Sequence, residues 1–548
     1  MIIVWPVYDT IRGMKKPSNP CFPPSFLLGI KGIVMAIWAV SGMVHAGETD
    51  VGTRVYADFR GENPPMRANR DIPFACDLSD ADGLSFDLRV DDLSEFSSFS
   101  FYFWFGDGSY SGQGLYPTRE GEWARMTVKR PEKASETKWK SVRGFRLSGW
   151  RGGTNDTFVG VRNIAIMPKG SIREPDEKMA AGLRAEVKRV NTAALARLAA
   201  VPPPVGERRF VWAHSPHGLR NRTWRQAARF LKEYGFTDLI VNMVNGSTGA
   251  YHSSVLIWSD LAQGHDCLQE CLDACRAEGI KVHAWNVCWG GGWRLDEATQ
   301  SRFFADGRYQ ISFDGKMPPK RWLCPTHPAN RRLIVESMLE LASKGVDGVH
   351  FDYIRYPDND YCFCQRCHRL FERKAGGLIQ DWPNALRRDN RLKTLWRQFR
   401  CEAITAPLRE VAQTLHADPS NRCEVSAAVF RDPLSDPDYV GQDWAAWCRE
   451  GYLDFVCPMT YEEDFGWFRR KLDKEARQVP GNVPQYPGIG LGVWKRDGRE
   501  IERFCDQVCY VREIGRGGFA VFELNWKLEQ LMPQVGTALG LSKETRER

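Results

Sequence analysis

A chain of 548 residues is too long for one ordinary domain, and 43% hydrophobic with 26% charged residues is the balance of a folded globular protein, not of a disordered or fibrous one. Its 75 basic and 68 acidic residues leave a mild net charge of +7, and no basic run is interleaved with aromatics, which excludes nucleic acid as a first expectation for the partner. Two or three domains are expected.

Residues 1–46 read as a secretory signal peptide. Lys15 and Lys16 precede the apolar run FLLGIKGIVMAIWAVSGMV, and Val44-His45-Ala46 forms a small-x-small cleavage signal ahead of Gly47. Met14 stands directly before the lysines, so residues 1–13 are expected to lie upstream of the natural start. No cysteine follows in lipobox position and no later run is long enough to span a bilayer, so the mature chain is expected to be secreted or periplasmic with no membrane span. Nothing in the sequence indicates an oligomeric state.

Residues 50–170 alternate apolar and polar positions in short runs such as LSFDLRV, SFSFYFWF, ARMTVKR and VRGFRLSGW, divided by Gly, Asp and Ser turns. Short strands with turn signals and no helical period predict an antiparallel β-sandwich, and the pattern resembles galactose-binding-like jelly rolls that act as carbohydrate-binding modules. Tyr102, Trp104, Tyr110, Trp123 and Trp150 either stack on sugar rings or fill the sandwich core. Residues 171–206 begin as a charged, Ala-rich helical stretch and end in Val201-Pro202-Pro203-Pro204-Val205, a stiff spacer that marks a domain boundary.

From 207 to 540, strand-like runs alternate with amphipathic helix-like ones. FVWAH, DLIVNM, KVHAWNVCW, GVHFDYI, EVSAAVF, DFVCPMTY, GIGLGVW and GFAVFEL each precede a helical pattern, the last one after Leu524. Eight such units predict a closed parallel (β/α)8 TIM barrel, with a doubly wound sheet as the weaker alternative.

The fourth strand begins GVHFDYIRYPDNDYCFCQRCHRLFE, residues 348–372. Successive strand side chains alternate in direction, so His350 and Asp352 share one face and Val349 and Phe351 the other. The apolar pair suits the helix side, which turns Asp352 inward near the strand's C-terminal end, where barrel enzymes build their active sites. A carboxylate there needs partners or a task. Asp347, at the other end of the strand, is expected to fix a turn.

Glycoside hydrolysis commonly uses two carboxyl groups. Glu462, just after strand six, is the first choice to partner Asp352, and Glu523, near the end of strand eight, is the second; Glu463 and Asp464 read as solvated loop acids. The same rim carries sugar-binding chemistry in His214, His217, Asn242, Asn245, Trp285, Asn286, Arg355, Tyr461, Trp494 and Trp526, any one of which is equally compatible with a structural place. His283, in mid-strand, reads as a satisfied core histidine.

Sixteen cysteines are present, fourteen of them between Cys267 and Cys509. Cys267, Cys271 and Cys275, like Cys505 and Cys509, recur at helical spacing, which orients them badly for bridging one another and suits small buried side chains. Cys362, Cys364, Cys367 and His368 are packed more closely. No second spaced pair accompanies them, so a structural zinc, disulfides and free thiols all remain open, with Cys362, Cys364 and Cys367 as the metal candidates. No cofactor is required for the carboxylate chemistry.

Three segments resemble the glycosyl-hydrolase-like 10 family of TIM-barrel hydrolases. They are LIVNMVNGSTGAYHSSVLIWSDL to GIKVHAWNVCW, then LCPTHPANRRLIVESMLELASKGVDGVHFDYIRYP, then WAAWCREGYLDFVCPMTYEED. Cys324 replaces the Asn common before Pro, Ile354-Arg355 follows Asp352-Tyr353, and the cysteine-rich loop is extra. The resemblance implies a polysaccharide substrate, a cell-wall glycan or another complex glycan.

Two rivals differ in kind. VDGVHFDYI has the outline of the family 18 chitinase signature, but His350 replaces its second Asp and Ile354 stands where that family carries its catalytic acid. The other is a non-catalytic glycan-binding protein. The expectation carried forward is an exported glycoside hydrolase, with Asp352 as nucleophile or base and Glu462, or else Glu523, as proton donor.

Overall fold

The computed structural model describes residues 53–539, apart from short stretches at 61–64, 66, 118, 132–134, 172–176, 220–221, 291–294 and 537. The signal peptide expected at 1–46 lies outside the described residues, as does the start of the linker. Among the described residues no helix is long and apolar enough to cross a membrane.

The first domain consists of two four-stranded antiparallel sheets. One orders its strands Thr53–Asp58, Asp156–Pro168, Ala81–Val90 and Ala124–Lys129, the other Arg67–Cys76, Val142–Arg151, Phe96–Phe105 and Tyr110–Leu115. Alternation decides the core. Phe99, Phe101, Phe103 and Phe105 are buried between the sheets, while Tyr102 and Trp104 from the same strand face outward. Phe86 stacks against both Phe101 and Phe145 at 5.5 Å. The five aromatics weighed as core fillers are all outside this cluster, whose aromatic members are phenylalanines, Trp139 and Trp467.

The helix Glu177–Ala200 connects the domains and is docked on the barrel. Ala194 and Leu198 are buried, the Asn191 amide donates to the Gly498 carbonyl at 2.8 Å, and Arg197 pairs with Asp506 at 2.5 Å. The sandwich also packs directly on the barrel. Trp467, from the barrel helix Phe465–Gln478, joins the sandwich core beside Phe99, and Arg151 pairs with Asp438 at 2.9 Å.

The barrel strands, in chain order, are Arg208–Ala213, Asp238–Asn245, Lys281–Val287, Gly348–Asp352, Glu424–Val429, Phe455–Pro458, Gly488–Ile489 and Gly518–Val521. They are called strands one to eight below. All neighbours run parallel, in the spatial order six, five, four, three, two, one, eight, seven. Between six and seven no regular ladder forms, and the ring is completed by Val456 N–H to the Pro484 carbonyl at 3.0 Å and Tyr486 N–H to the Val456 carbonyl at 2.9 Å.

Inward residues Phe210, Trp212, Ile240, Trp285, Ala428, Phe455, Cys457 and Ala520 form a separate interior cluster, whereas Val211, Val241, Val349, Phe351 and Val456 pack against the surrounding helices. The N-terminal end is closed by charge. Arg208 meets Asp238 at 2.5 Å and Glu424 at 2.8 Å, and His283 completes the set 3.0 Å from Asp238.

Candidate active site

Strand four delivers Asp352 to the C-terminal mouth, where it is only 5% exposed. The next residue, Tyr353, has φ of +50°, a left-handed conformation uncommon for a bulky side chain, and its N–H donates to the Asp352 carboxylate at 2.6 Å. Burial pushes the Asp352 carboxyl above its ordinary range, and Arg355, the Tyr353 N–H, His214 and Trp285 offset this only in part. The Trp285 indole N–H is close enough to act on Asp352 without full hydrogen-bond geometry.

Around Asp352 the mouth is aromatic. The His214 ring lies 4.7 Å from Trp285 and 5.3 Å from Phe522, and Tyr461 stacks on Phe522 at 4.7 Å. His214 Nδ1 is hydrogen-bonded to the Glu523 carboxylate, which follows strand eight. Tyr461 lies near both acids: after burial itself, the Asp352 and Glu523 charges are among the causes that raise its phenol pKa. Asp352, His214, Trp285, Tyr461 and Glu523 therefore face one space.

Glu462 sits in a different environment. It is buried after strand six, with the Lys471 ammonium at 2.5 Å and the Arg431 guanidinium at 3.3 Å. Burial alone would raise its pKa, but Arg431 and Lys471 overcome this and hold it down at about 2. The two cations favour the ionised form of Glu462, an environment better suited to an ion pair than to a proton donor.

The expected sugar ligands divide in the same way. Arg355 stays at the mouth, its guanidinium over Tyr353 at 4.7 Å and Phe430 at 4.4 Å, and Trp526 is 45% exposed beside Arg496. Asn286 points outward from strand three to Ser337 Oγ at 3.2 Å, on the helix side, so it cannot reach a ligand in the mouth. Asn242 donates to the Val244 carbonyl at 3.1 Å and accepts from Asn245 at 2.9 Å, which commits its amide to the irregular register of strand two. Trp494 is buried in the main core, against Gly490. His217 lies 3.6 Å from Cys267 Sγ.

Asp347 accepts from Val282 N–H at 2.9 Å, and Asp464 caps the helix that follows it. His283 is buried against Asp238. Trp322, 5.3 Å from Tyr353, is a mouth residue that sequence reasoning missed, because it comes from the loop after strand three and carries no periodic signal.

The four thiols of Cys324, Cys362, Cys364 and Cys367 converge, all buried, with their sulfurs within 4.8 Å of one another. His368 turns away to stack on Trp382 at 4.4 Å and pair with Glu372 at 3.1 Å.

A parallel eight-stranded barrel with an acid-bearing, aromatic C-terminal mouth fits a glycoside-hydrolase type of enzyme. The chain belongs to the Glycosyl hydrolase-like 10 family, which matches residues 209–496, more than half of its length. That match includes Asp352 and ends before Glu523. The chain is similar to the glycosyl hydrolase DigH of Escherichia coli (strain K12), 24% identical over 262 residues that cover 42% of this chain and 56% of that protein. It thus spans little more than half the length of that relative.

Among solved structures, the PgaB (BpsB) glycoside hydrolase domain from Bordetella bronchiseptica is 16% identical with a TM-score of 0.47, covering 60% of this chain and 97% of that one. The catalytic domain of a beta-amylase from Paenibacillus polymyxa is 10% identical with a TM-score of 0.43, over 60% of this chain and 98% of that one.

Proposed function

We propose that this protein is an exported hydrolase of the O-glycosidic bonds of a polysaccharide of the cell-wall glycan class, acting at the C-terminal mouth of its barrel. Asp352 is the proton donor and Glu523, oriented by His214, is the second carboxylate. The observation that carries this reading is the contrast in acid environments. Asp352 is buried, inward-facing and shifted toward its protonated form, and Glu523 is positioned by a histidine across the same space. This reading gives Asp352 the acid's role in place of the nucleophile's or base's expected on sequence grounds.

In the reaction, the Asp352 proton passes to the leaving glycosidic oxygen as the carbon–oxygen bond breaks. Glu523 works on the opposite face, taking a proton from attacking water or attacking the anomeric carbon itself, as the separation of the two acids dictates. Tyr461 and Trp526 offer apolar faces to pyranose rings, and Arg355 offers hydrogen bonds to their substituents.

The sandwich is proposed to act as a galactose-binding-like tether. Its outer face carries Trp104 and Tyr110 stacked at 6.4 Å and 12°, with Tyr110 41% exposed. Product analysis on a polysaccharide panel that includes denuded peptidoglycan, comparing wild type with Asp352→Asn, tests the enzymatic reading. Equal product from both proteins would remove Asp352 from the mechanism, and a wild type that binds glycans without cleaving any would make the protein a glycan binder.

A further inference from the structure

We propose that Cys324, Cys362, Cys364 and Cys367 bind one zinc-class divalent cation in a closed tetrathiolate site, and that this ion braces the wall of the active-site mouth. The argument begins with the sulfur spacing. Cys324 Sγ lies 3.7 Å from Cys364 Sγ, 3.6 Å from Cys367 Sγ and 3.8 Å from Cys362 Sγ. A regular tetrahedron with a metal–sulfur bond of about 2.3 Å has sulfur–sulfur edges of about 3.8 Å, which the three edges from Cys324 match, and all four sulfurs lie within 4.8 Å of one another. A disulfide would need its sulfurs at about 2.05 Å.

Convergence sets these four apart from the other cysteines. Cys267, Cys271 and Cys275 are also buried, but they run along one helix and pack as small apolar side chains. Among the described residues, no other group of histidines, cysteines or acids brings its ligand atoms together in this way. Soft sulfur donors in a four-cornered arrangement select zinc over hard cations, and four protein ligands leave no open position for catalysis.

The surroundings suit the charge that four thiolates would carry. Cys364 is the N-cap of the helix Gln365–Ala375, so the positive end of that helix faces the cluster, and the Cys367 N–H points at Cys364 Sγ at 3.5 Å. The Thr326 hydroxyl stands 3.2 Å from both Cys324 and Cys367, as an outer-sphere partner would. On binding, each coordinating S–H gives its proton to solvent while the metal keeps its oxidation state, so no oxidant or reductant is needed.

Three of the ligands come from two loops that both begin at the mouth, and the fourth, Cys367, from the first turn of the helix Gln365–Ala375. Cys324 follows the strand-three loop just after Trp322, and Cys362 and Cys364 lie on the loop that leaves Asp352 through Tyr353 and Arg355. Trp322 packs 5.3 Å from Tyr353, and the Arg355 guanidinium lies 5.4 Å from Trp322. The ion would tie the distal ends of both loops together and so hold that aromatic wall in register.

The test is the metal content of the purified full-length protein, by mass spectrometry, after growth in zinc-containing medium. One zinc per chain is expected, with exchange for cobalt(II) giving the visible absorption of tetrahedral cobalt thiolate. Cys324→Ser should lose the metal, and Cys401→Ser, a cysteine outside the cluster, should keep it. A wild type that carries no metal, a disulfide among the four cysteines in non-reducing peptide mapping, or full metal retention in Cys324→Ser would overturn the proposal. Should Cys324→Ser fail to fold, the wild-type metal count and cobalt spectrum decide the matter alone.

Discussion

At the N-terminal end of the barrel, Asp238 is buried to 1% exposure and surrounded by donors, with Arg208 at 2.5 Å, Thr237 at 2.6 Å and His283 at 3.0 Å. At the C-terminal end, Asp352 is 5% exposed, and its carboxylate accepts from the Tyr353 N–H, with the Trp285 indole nearby. The first carboxyl is held well below its ordinary pKa in spite of burial, and the second is raised by it. Two buried aspartates in one barrel are thus shifted in opposite directions, because one is neutralised by partners and the other is left to the low dielectric. Glu462 belongs with Asp238, although it lies on the same face as Asp352.

The largest expected break in this comparison is Asp352→Asn. It should lower kcat by about 10³-fold, within the range lost with a general acid, while leaving thermal stability equal or higher, since an uncompensated buried carboxyl is removed. Its pH profile sharpens the point. With a folded pKa above the unfolded one, wild-type activity should fall as pH rises through the raised pKa, and stability should decline in the same direction. A Tm that drops as far as activity would mean that Asp352 is a structural carboxyl like Asp238.

Next in size, Glu523→Gln should reduce kcat by about 10²-fold with the fold retained. Because Glu523 lies beyond the family-matched residues, an unaffected rate would move the second carboxylate elsewhere without disturbing the role of Asp352.

Glu462→Gln should act on stability instead. Removing one partner of a buried ion pair costs about 3 kcal/mol, measured by denaturant unfolding, because Lys471 and Arg431 lose their counter-charge, whereas the folded fraction should keep its kcat. Since the folded Glu462 pKa lies at about 2 against an ordinary 4.5, the stability it contributes should be complete above pH 4.5 and lost as pH falls from 4.5 toward 2. A rate loss without destabilisation would return Glu462 to the catalytic set.

The smallest effect concerns the sandwich. The Trp104→Ala/Tyr110→Ala pair should weaken retention on insoluble glycan by about tenfold, the equivalent of roughly 1.4 kcal/mol, with unchanged turnover of short soluble fragments. Unchanged retention would make this aromatic pair an ordinary surface feature.

How far the sequence could be read follows from the range of each signal. The barrel strands announce themselves by local alternation, and the inward face of Asp352 follows from a period of two, in which a residue's direction depends only on its neighbours. The state of Glu462 was hidden, because its partners come from the loop after strand five and from a helix turn nine residues on, and a helix in the sequence does not say which acid its lysine will meet. Asn286 was misplaced for a different reason: its neighbour Trp285 faces the mouth, and alternation therefore sends Asn286 to the helices.

The cysteines divide along the same line. Cys362, Cys364 and Cys367 were visible as a cluster because they are close in sequence, but Cys324 joins them only through a contact that closes a loop of some forty residues. By itself the sequence determined the parallel barrel, the sandwich before it and the inward carboxylate on strand four, since local hydrophobic periodicity specifies which face of each element is buried. Only the tertiary structure decided which buried acids are neutralised and which thiols meet, because electrostatic state and convergence depend on distances between elements far apart in the chain.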